Sequence, residues 1–195
     1  HLSYKDLDID PDDYLDKEIC KKFGYVVHSP ELFSEDHIMD LASEDEAYRQ
    51  RSISELKRVI EITKHLKAFF PSQPDPVIVF NAGGWSTDKF LKKNIVRLKY
   101  DLVRDSINQL DDVRKGVTLS VQTMPPFPWH FGGQSFHNLF VDHNEIDEFC
   151  THNKMNICLD VSHSMMACNY YEWKLDEFIK RTASHTTHLH IVDAL

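Results

Sequence analysis

What most limits the fold of this chain is an alternation. Short apolar runs recur, and most are followed by a longer stretch with helical spacing. The runs are "YVVH" (25–28), "DPVIVFNA" (75–82), "GVTLSVQTM" (116–124), "MNICLDVSH" (155–163) and "TTHLHIVDA" (186–194). Runs this apolar suit strands covered on both faces, as in a parallel sheet. Between them lie "DEAYRQRSISELKRVIEITKHLKAFF" (45–70), "STDKFLKKNIVRLKYDLVRDSINQL" (86–110), "NEIDEFCTHN" (144–153) and "YYEWKLDEFIKRTAS" (170–184), read as helices. In the first, Ile53, Leu56, Ile60 and the stretch from Thr63 to Leu66 recur at helical spacing. Ser86 or Thr87 is placed to cap the second. "HLSY" (1–4) reads as the end of an earlier strand, and "DPDDYLDKEICKKFG" (10–24) as the helix after it, stopped by Gly24. No linker, repeat or low-complexity segment breaks the pattern. Residues 1–195 are therefore expected to form one α/β domain.

Composition removes some classes of function. The chain has 22 Lys and Arg against 31 Asp and Glu, a net charge of -9. Such a chain repels phosphate backbones, so nucleic acid is not an expected partner. No apolar run approaches the ~20 residues of a membrane span, so no membrane is expected either. Cys20, Cys150, Cys158 and Cys168 show no CxxC pairing and read as reduced thiols of a cytoplasmic protein. The 12 histidines are dispersed, and several close apolar runs.

In parallel α/β folds, ligands bind beyond the carboxyl ends of the strands. Standing there are His28, Asn81, Gln122 with His130 in its loop, Asp160 with His163, and His190 with His188 and Asp193. Neutral imidazoles and carboxylates ligate divalent transition metals. His188 and His190 are two apart and share a strand face, opposite Leu189 and Ile191. Several residues keep two readings. Asp160 is a ligand or an N-cap. Trp85 stacks on a sugar or packs its loop. His130 and His137 touch substrate or solvent. "NAGG" and "FGG" match neither a P-loop nor the dinucleotide fingerprint.

"VVHSP", "LSVQTMPPFPWHFGG", "ICLDVSH" and "HLHIVDA", with the helix from Ala42 to Leu66, resemble the xylose-isomerase-like TIM barrels. That superfamily comprises sugar and sugar-phosphate isomerases and epimerases, together with apurinic endonucleases. The resemblance implies a divalent metal (Mn2+, Zn2+, Co2+ or Mg2+) held at Asp160, His163, His190 and the Gln122 position. His28 and His188 are the implied proton carriers, and Asn81, Trp85 and His130 the implied substrate contacts. Two departures stand out. The family usually has glutamate where this chain has Gln122, and an amide is a poorer ligand that cannot take up a proton. Asn81 stands where the endonucleases carry a ligating histidine.

A closed (β/α)8 barrel needs eight strands. Here five clear strands and the tail of a first make about six of them. The chain is therefore expected to be an incomplete TIM barrel and a fragment. Similar barrels occur fused to sialic-acid-synthase-like enzymes of bacterial surface-sugar biosynthesis, so fusion to or association with a sugar-biosynthesis enzyme is expected. The implied activity is metal-dependent isomerisation or epimerisation of a sugar or sugar phosphate through an enediolate. The alternative is a catalytically degenerate barrel that binds sugar or docks a partner.

Overall fold

The computed structural model describes residues 1–71, 74–130 and 133–192. Asp193 lies outside them. Five strands form the main sheet: β1 (Val26–His28), β2 (Val77–Phe80), β3 (Thr118–Gln122), β4 (Asn156–Asp160) and β5 (Thr186–His190). They stand side by side in chain order and all run parallel. A doubly wound sheet reverses its strand order at a switch point. An order that never reverses is that of a barrel wall. The chain folds as a curled, incomplete (β/α) barrel.

The register sorts side chains by face. Val27, Ile78, Phe80, Leu119, Val121, Ile157 and Leu159 are buried in the core. There they join Ile53, Leu56 and Ile60 from α2 (Glu46–Leu66) and Val103 and Ile107 from α3 (Lys93–Asn108). Ile146 of α4 (His143–Asn153) and Phe178 of α6 (Leu175–Thr182) complete that layer. The opposite face carries His28, Val79, Ser120, Gln122, Cys158 and Asp160.

β5 joins that face through a β-bulge. Ile157 pairs with Thr186, but Cys158 pairs with His188, so Thr187 is the extra residue. Its hydroxyl meets that of Ser120. A strand without the bulge would set His188 opposite Leu159, on the helix side. With it, His188 and His190 align with Cys158 and Asp160. Leu189 alternates outward and is 49% exposed.

The structure corrects several expected boundaries. The helix expected over 86–110 begins at Lys93, because Trp85–Ser86 pairs instead with Phe136–His137. Asn138 fixes that arrangement by donating to Gly84 O (2.9 Å) and Ser86 Oγ (3.0 Å) and accepting from Leu91 N (2.8 Å). The helix expected over 170–184 is the shorter α6, and an unexpected helix, α5 (Val161–Tyr171), precedes it and ends at Glu172 in the left-handed region. Residues 10–24 hold only a 3-10 turn, Pro11–Asp13, and the short α1 (Lys17–Cys20). "HLSY" is no named strand, yet Leu2 N donates to His28 O (3.0 Å) along the edge of β1.

The "NAGG" loop is explained by backbone approach and not by phosphate binding. Gly83 and Gly84 both have positive φ, +83° and +86°. Asp40 Oδ1 accepts from Gly84 N and Ala42 N (both 3.0 Å), pulling the loop after β1 against the loop after β2. A Cβ on Gly83 would run into the carboxylate and Cα of Asp40. Gly83→Ala should therefore lose about 2 kcal/mol or more in urea unfolding, from a strained φ plus the clash. An unchanged midpoint would contradict this packing.

Candidate functional site

Asp160 closes β4 and caps α5. Its Oδ1 accepts from Ser162 Oγ (2.6 Å) and from His163 N (3.0 Å). Its Oδ2 accepts from Gln122 Nε2 (2.9 Å). Thr123, fully buried, anchors the same turn: its Oγ1 accepts from Asp160 N (2.9 Å), and its carbonyl accepts from His163 Nδ1 (2.8 Å). The carbonyl thereby fixes the His163 tautomer and leaves Nε2 as the nitrogen with a lone pair.

The Gln122 amide bridges three residues. Its Oε1 lies 3.0 Å from His28 Nε2, while its Nε2 lies 2.9 Å from Asp160 Oδ2 and 3.4 Å from His190 Nδ1. His28 Nδ1 stands 2.9 Å from Ser29 O. The rings of His28 and His190 stack at 5.5 Å, and His188 meets His190 edge-on at 5.4 Å. Together these residues line an open groove of about 610 Å3 at the carboxyl edge of the sheet, with His1, Glu31 and Ser162 on its walls.

Electrostatics follow from this packing. Burial opposes ionisation of Asp160, but the bonds from Ser162, His163 N–H and Gln122, with the nearby His163 ring, outweigh it and hold the carboxyl below its usual range. Burial lowers the pKa of His188, with help from His28. Burial also lowers that of His190, and there it outweighs the opposing pull of Asp160. Both imidazoles are thus kept neutral near pH 7, with lone pairs for a ligand or a proton. Cys158 is pushed up to about 12 by burial and by Asp160, so it is no thiolate nucleophile. The four cysteines are all free and buried.

The structure thus gathers His28, Gln122, Asp160, His163, His188 and His190. It does not bring Asn81 or Trp85 to the groove. Asn81 is buried and its Oδ1 accepts from Gly83 N (2.9 Å), which shapes the loop. Trp85 pairs with His137 in the small two-stranded ladder. The backbone of His130 pairs with Gly133 in a second small ladder. Ser162 and Thr123 are supports that the sequence reading missed. The available signal was the order Asp-x-Ser-His, an N-cap followed by donors in the first turn.

The donor set suits a metal in part. Asp160 Oδ2 and His190 Nδ1 lie 3.5 Å apart, close to the separation of two neighbouring ligands bonded at ~2.1 Å to one ion. By donor type this carboxylate and the imidazoles of His190 and His163 suit a divalent transition metal, but they do not bring three donor atoms within 4.8 Å of one another. Gln122 does not fit as a ligand, because its oxygen is turned to His28 and its N–H groups point at the Asp160–His190 pair. Among the described residues, the group that brings three donor atoms within 4.8 Å of one another is elsewhere: exposed Asp10, Asp12 and His65.

A curled parallel sheet with converging polar side chains at its carboxyl edge defines a barrel-type α/β protein with a strand-end site. The family model for the xylose isomerase-like TIM barrel matches residues 6–195, and the chain belongs to that family. No curated protein matches the sequence. Among solved structures, a D-tagatose 3-epimerase-like protein superposes with a TM-score of 0.61 at 20% identity, covering 98% of this chain and 62% of its own. L-ribulose 3-epimerase gives 0.62 at 17%, covering 95% and 57%. Endonuclease IV from Thermus thermophilus gives 0.56 at 15%, covering 91% and 56%. At these identities the likeness shows the fold, and the chain spans about six-tenths of each relative's length. No helix among the described residues is long and apolar enough to cross a membrane.

Acidification should weaken the fold in two windows. A depressed pKa contributes stability that is present above the unfolded value and lost as pH falls through the folded one. His188 and His190 act below their unfolded value of ~6.5, and Asp160 acts below ~3.9. Urea unfolding from pH 8 to pH 3 should show both losses, and Asp160→Asn should remove the more acidic one. Stability that is flat from pH 7 to pH 5 would contradict the histidine assignment.

Proposed function

We propose that the groove is the sugar site of an isomerase- or epimerase-type barrel acting through an enediolate, with a divalent metal held by Asp160, His190 and His163. One observation carries this reading: a low-pKa carboxylate from β4 and neutral imidazoles from β5 converge on one groove with His28 of β1 and His163 of α5. A divalent metal bound there would supply positive charge against oxygens that become negative when a C–H proton leaves the neighbouring carbon.

The chain's own residues do the rest. Asp160 is preset as an anion by its hydrogen bonds. His188, neutral and on the groove wall, is placed to accept a proton from a sugar carbon or hydroxyl. His28 is steered by Gln122 and Ser29 and faces the same space. Gln122 cannot carry a proton, so proton transfer falls to the histidines.

The second reading, a binding module without turnover, is favoured by Gln122 itself. Its N–H groups occupy the approach between Asp160 and His190, so a metal binds only if the amide swings away.

Elemental mass spectrometry separates the two. The first reading expects near-stoichiometric Mn2+, Zn2+ or Co2+ in the untagged protein, lost in Asp160→Ala/His190→Ala. Gln122→Glu, which adds a ligating charge and removes the N–H groups, should raise affinity at least ~10-fold. Metal uptake by Gln122→Glu alone, with none by the native protein, would leave the binding module as the function.

A further inference from the structure

β5 is the strand whose register is least explained by its own apolar side chains. Each of β1 to β4 buries apolar residues on its helix side, Val27, Ile78, Leu119 and Ile157 among them. None of the five residues of β5 is buried. Leu189, its one aliphatic side chain, is half exposed, and no strand lies beyond β5 among the described residues. A strand without a buried apolar face is free to slip. Thr186 is tied at the start, where its Oγ1 donates to Thr182 O (3.0 Å). Beyond it, regular pairing without the bulge would put Thr187 opposite Cys158 and Leu189 opposite Asp160, and both imidazoles would turn to the helix side. The contact of His190 Nδ1 with Gln122 Nε2, at 3.4 Å, is long for a hydrogen bond and holds back that slip only weakly.

A polar contact supplies what the apolar pattern lacks. Ser120 Oγ meets Thr187 Oγ1, although Ser120 is on β3 and Thr187 on β5, with β4 between them. Strands two apart in a flat sheet stand roughly 9.5 Å from each other, farther than two short hydroxyl side chains span. The contact therefore needs the curl of the sheet. It needs the bulge as well. Regular pairing would set Thr187 level with Cys158 and Gln122, two residues above Ser120 along the sheet. In the bulge it lies between the levels of Ile157 and Cys158. Bulges are uncommon between parallel strands and gather beside functional sites, where they re-aim a side chain. Ser120 is fully buried, and its hydroxyl has no other hydrogen-bond partner among the described residues. A buried hydroxyl without a partner is costly, so Ser120 favours the one register that brings Thr187 to it.

We propose that the Ser120–Thr187 hydroxyl pair is the clasp that sets the register of β5, and that Thr187 is thereby the positioning residue for His188 and His190. Its effect on metal binding rests on the reading of the groove as a metal-dependent sugar site; its effect on the two rings does not. With the clasp closed, His190 pairs across from Asp160 and stacks on His28 at 5.5 Å, and His188 meets His190 edge-on at 5.4 Å. With it open, Leu189 takes the place opposite Asp160, and the groove loses both imidazoles of β5.

The test is nuclear Overhauser NMR on the metal-free full chain, with Mn2+, Zn2+ and Co2+ titrations beside it. The native protein should show contacts from the His188 ring to Cys158 and from the His190 ring to His28. Thr187→Val should lose both and weaken metal uptake about 10-fold or more. Thr187→Ser, which keeps a hydroxyl, should retain them. Ser120→Ala/Thr187→Val leaves no hydroxyl unpaired and should still do no better than Thr187→Val. Deleting Thr187 removes the bulge yet leaves His188 opposite Cys158 in a regular strand, so the deletion should keep the ring contacts that the valine variant loses. Native ring contacts in Thr187→Val, or their absence from Thr187→Ser or from a folded deletion variant, overturn the clasp. Recovery in the double variant also overturns it, because an unpaired hydroxyl would then be the whole effect. If the deletion variant does not fold, the valine and serine variants decide. Failure of the underlying reading looks different: the ring contacts would follow these substitutions while the native protein takes up no metal.

Discussion

The site depends on one buried carboxylate. Asp160 ends β4, caps α5 and accepts hydrogen bonds from Ser162, His163 N–H and Gln122. A buried anion is costly unless its oxygens are paired. These donors meet that cost and also set the geometry. The cap starts α5 directly at the end of β4. The bond to His163 N–H places that ring within reach of Thr123 O. Each hydrogen bond to a charged acceptor is worth about 1.5–3 kcal/mol, so losing the carboxylate would loosen helix and groove together.

Gln122 gives the groove its particular chemistry. A glutamate there would stand beside Asp160 as a second anion, and the pair would need a cation between them. The amide removes that need. It donates to Asp160 and turns its oxygen to His28, so the network closes with groups of the chain itself. The Asp160 carboxylate is paired before any ligand arrives. Metal binding and amide bridging therefore compete for Asp160 Oδ2.

Much of the fold was legible. The five apolar runs became the five strands of the main sheet, and α2 formed where its spacing placed it, with Asp45 as cap. The groove residues read from strand ends also came together, because a parallel sheet delivers every such residue to one edge. Asn81 and Trp85 were drawn from the same rule but answer to loop packing, which strand pattern does not encode. The helix α5 was missed for a related reason. "VSHSMMACNYY" has no clear amphipathic period, and its helix is started by Asp160 and seated by Ala167 against Met124 and Val141.

The sequence by itself determined the class of fold, the end of the sheet where the site lies and the residue types available there, since these follow from apolar runs and their polar ends. Only the tertiary structure decided how those residues meet. The plainest case is β5. Period-2 alternation says that His188 and His190 share a face, but not which face. The bulge at Thr187, set by pairing with β4, turns that face toward Asp160. Pairing register is a relation between two strands, so no single stretch of sequence contains it.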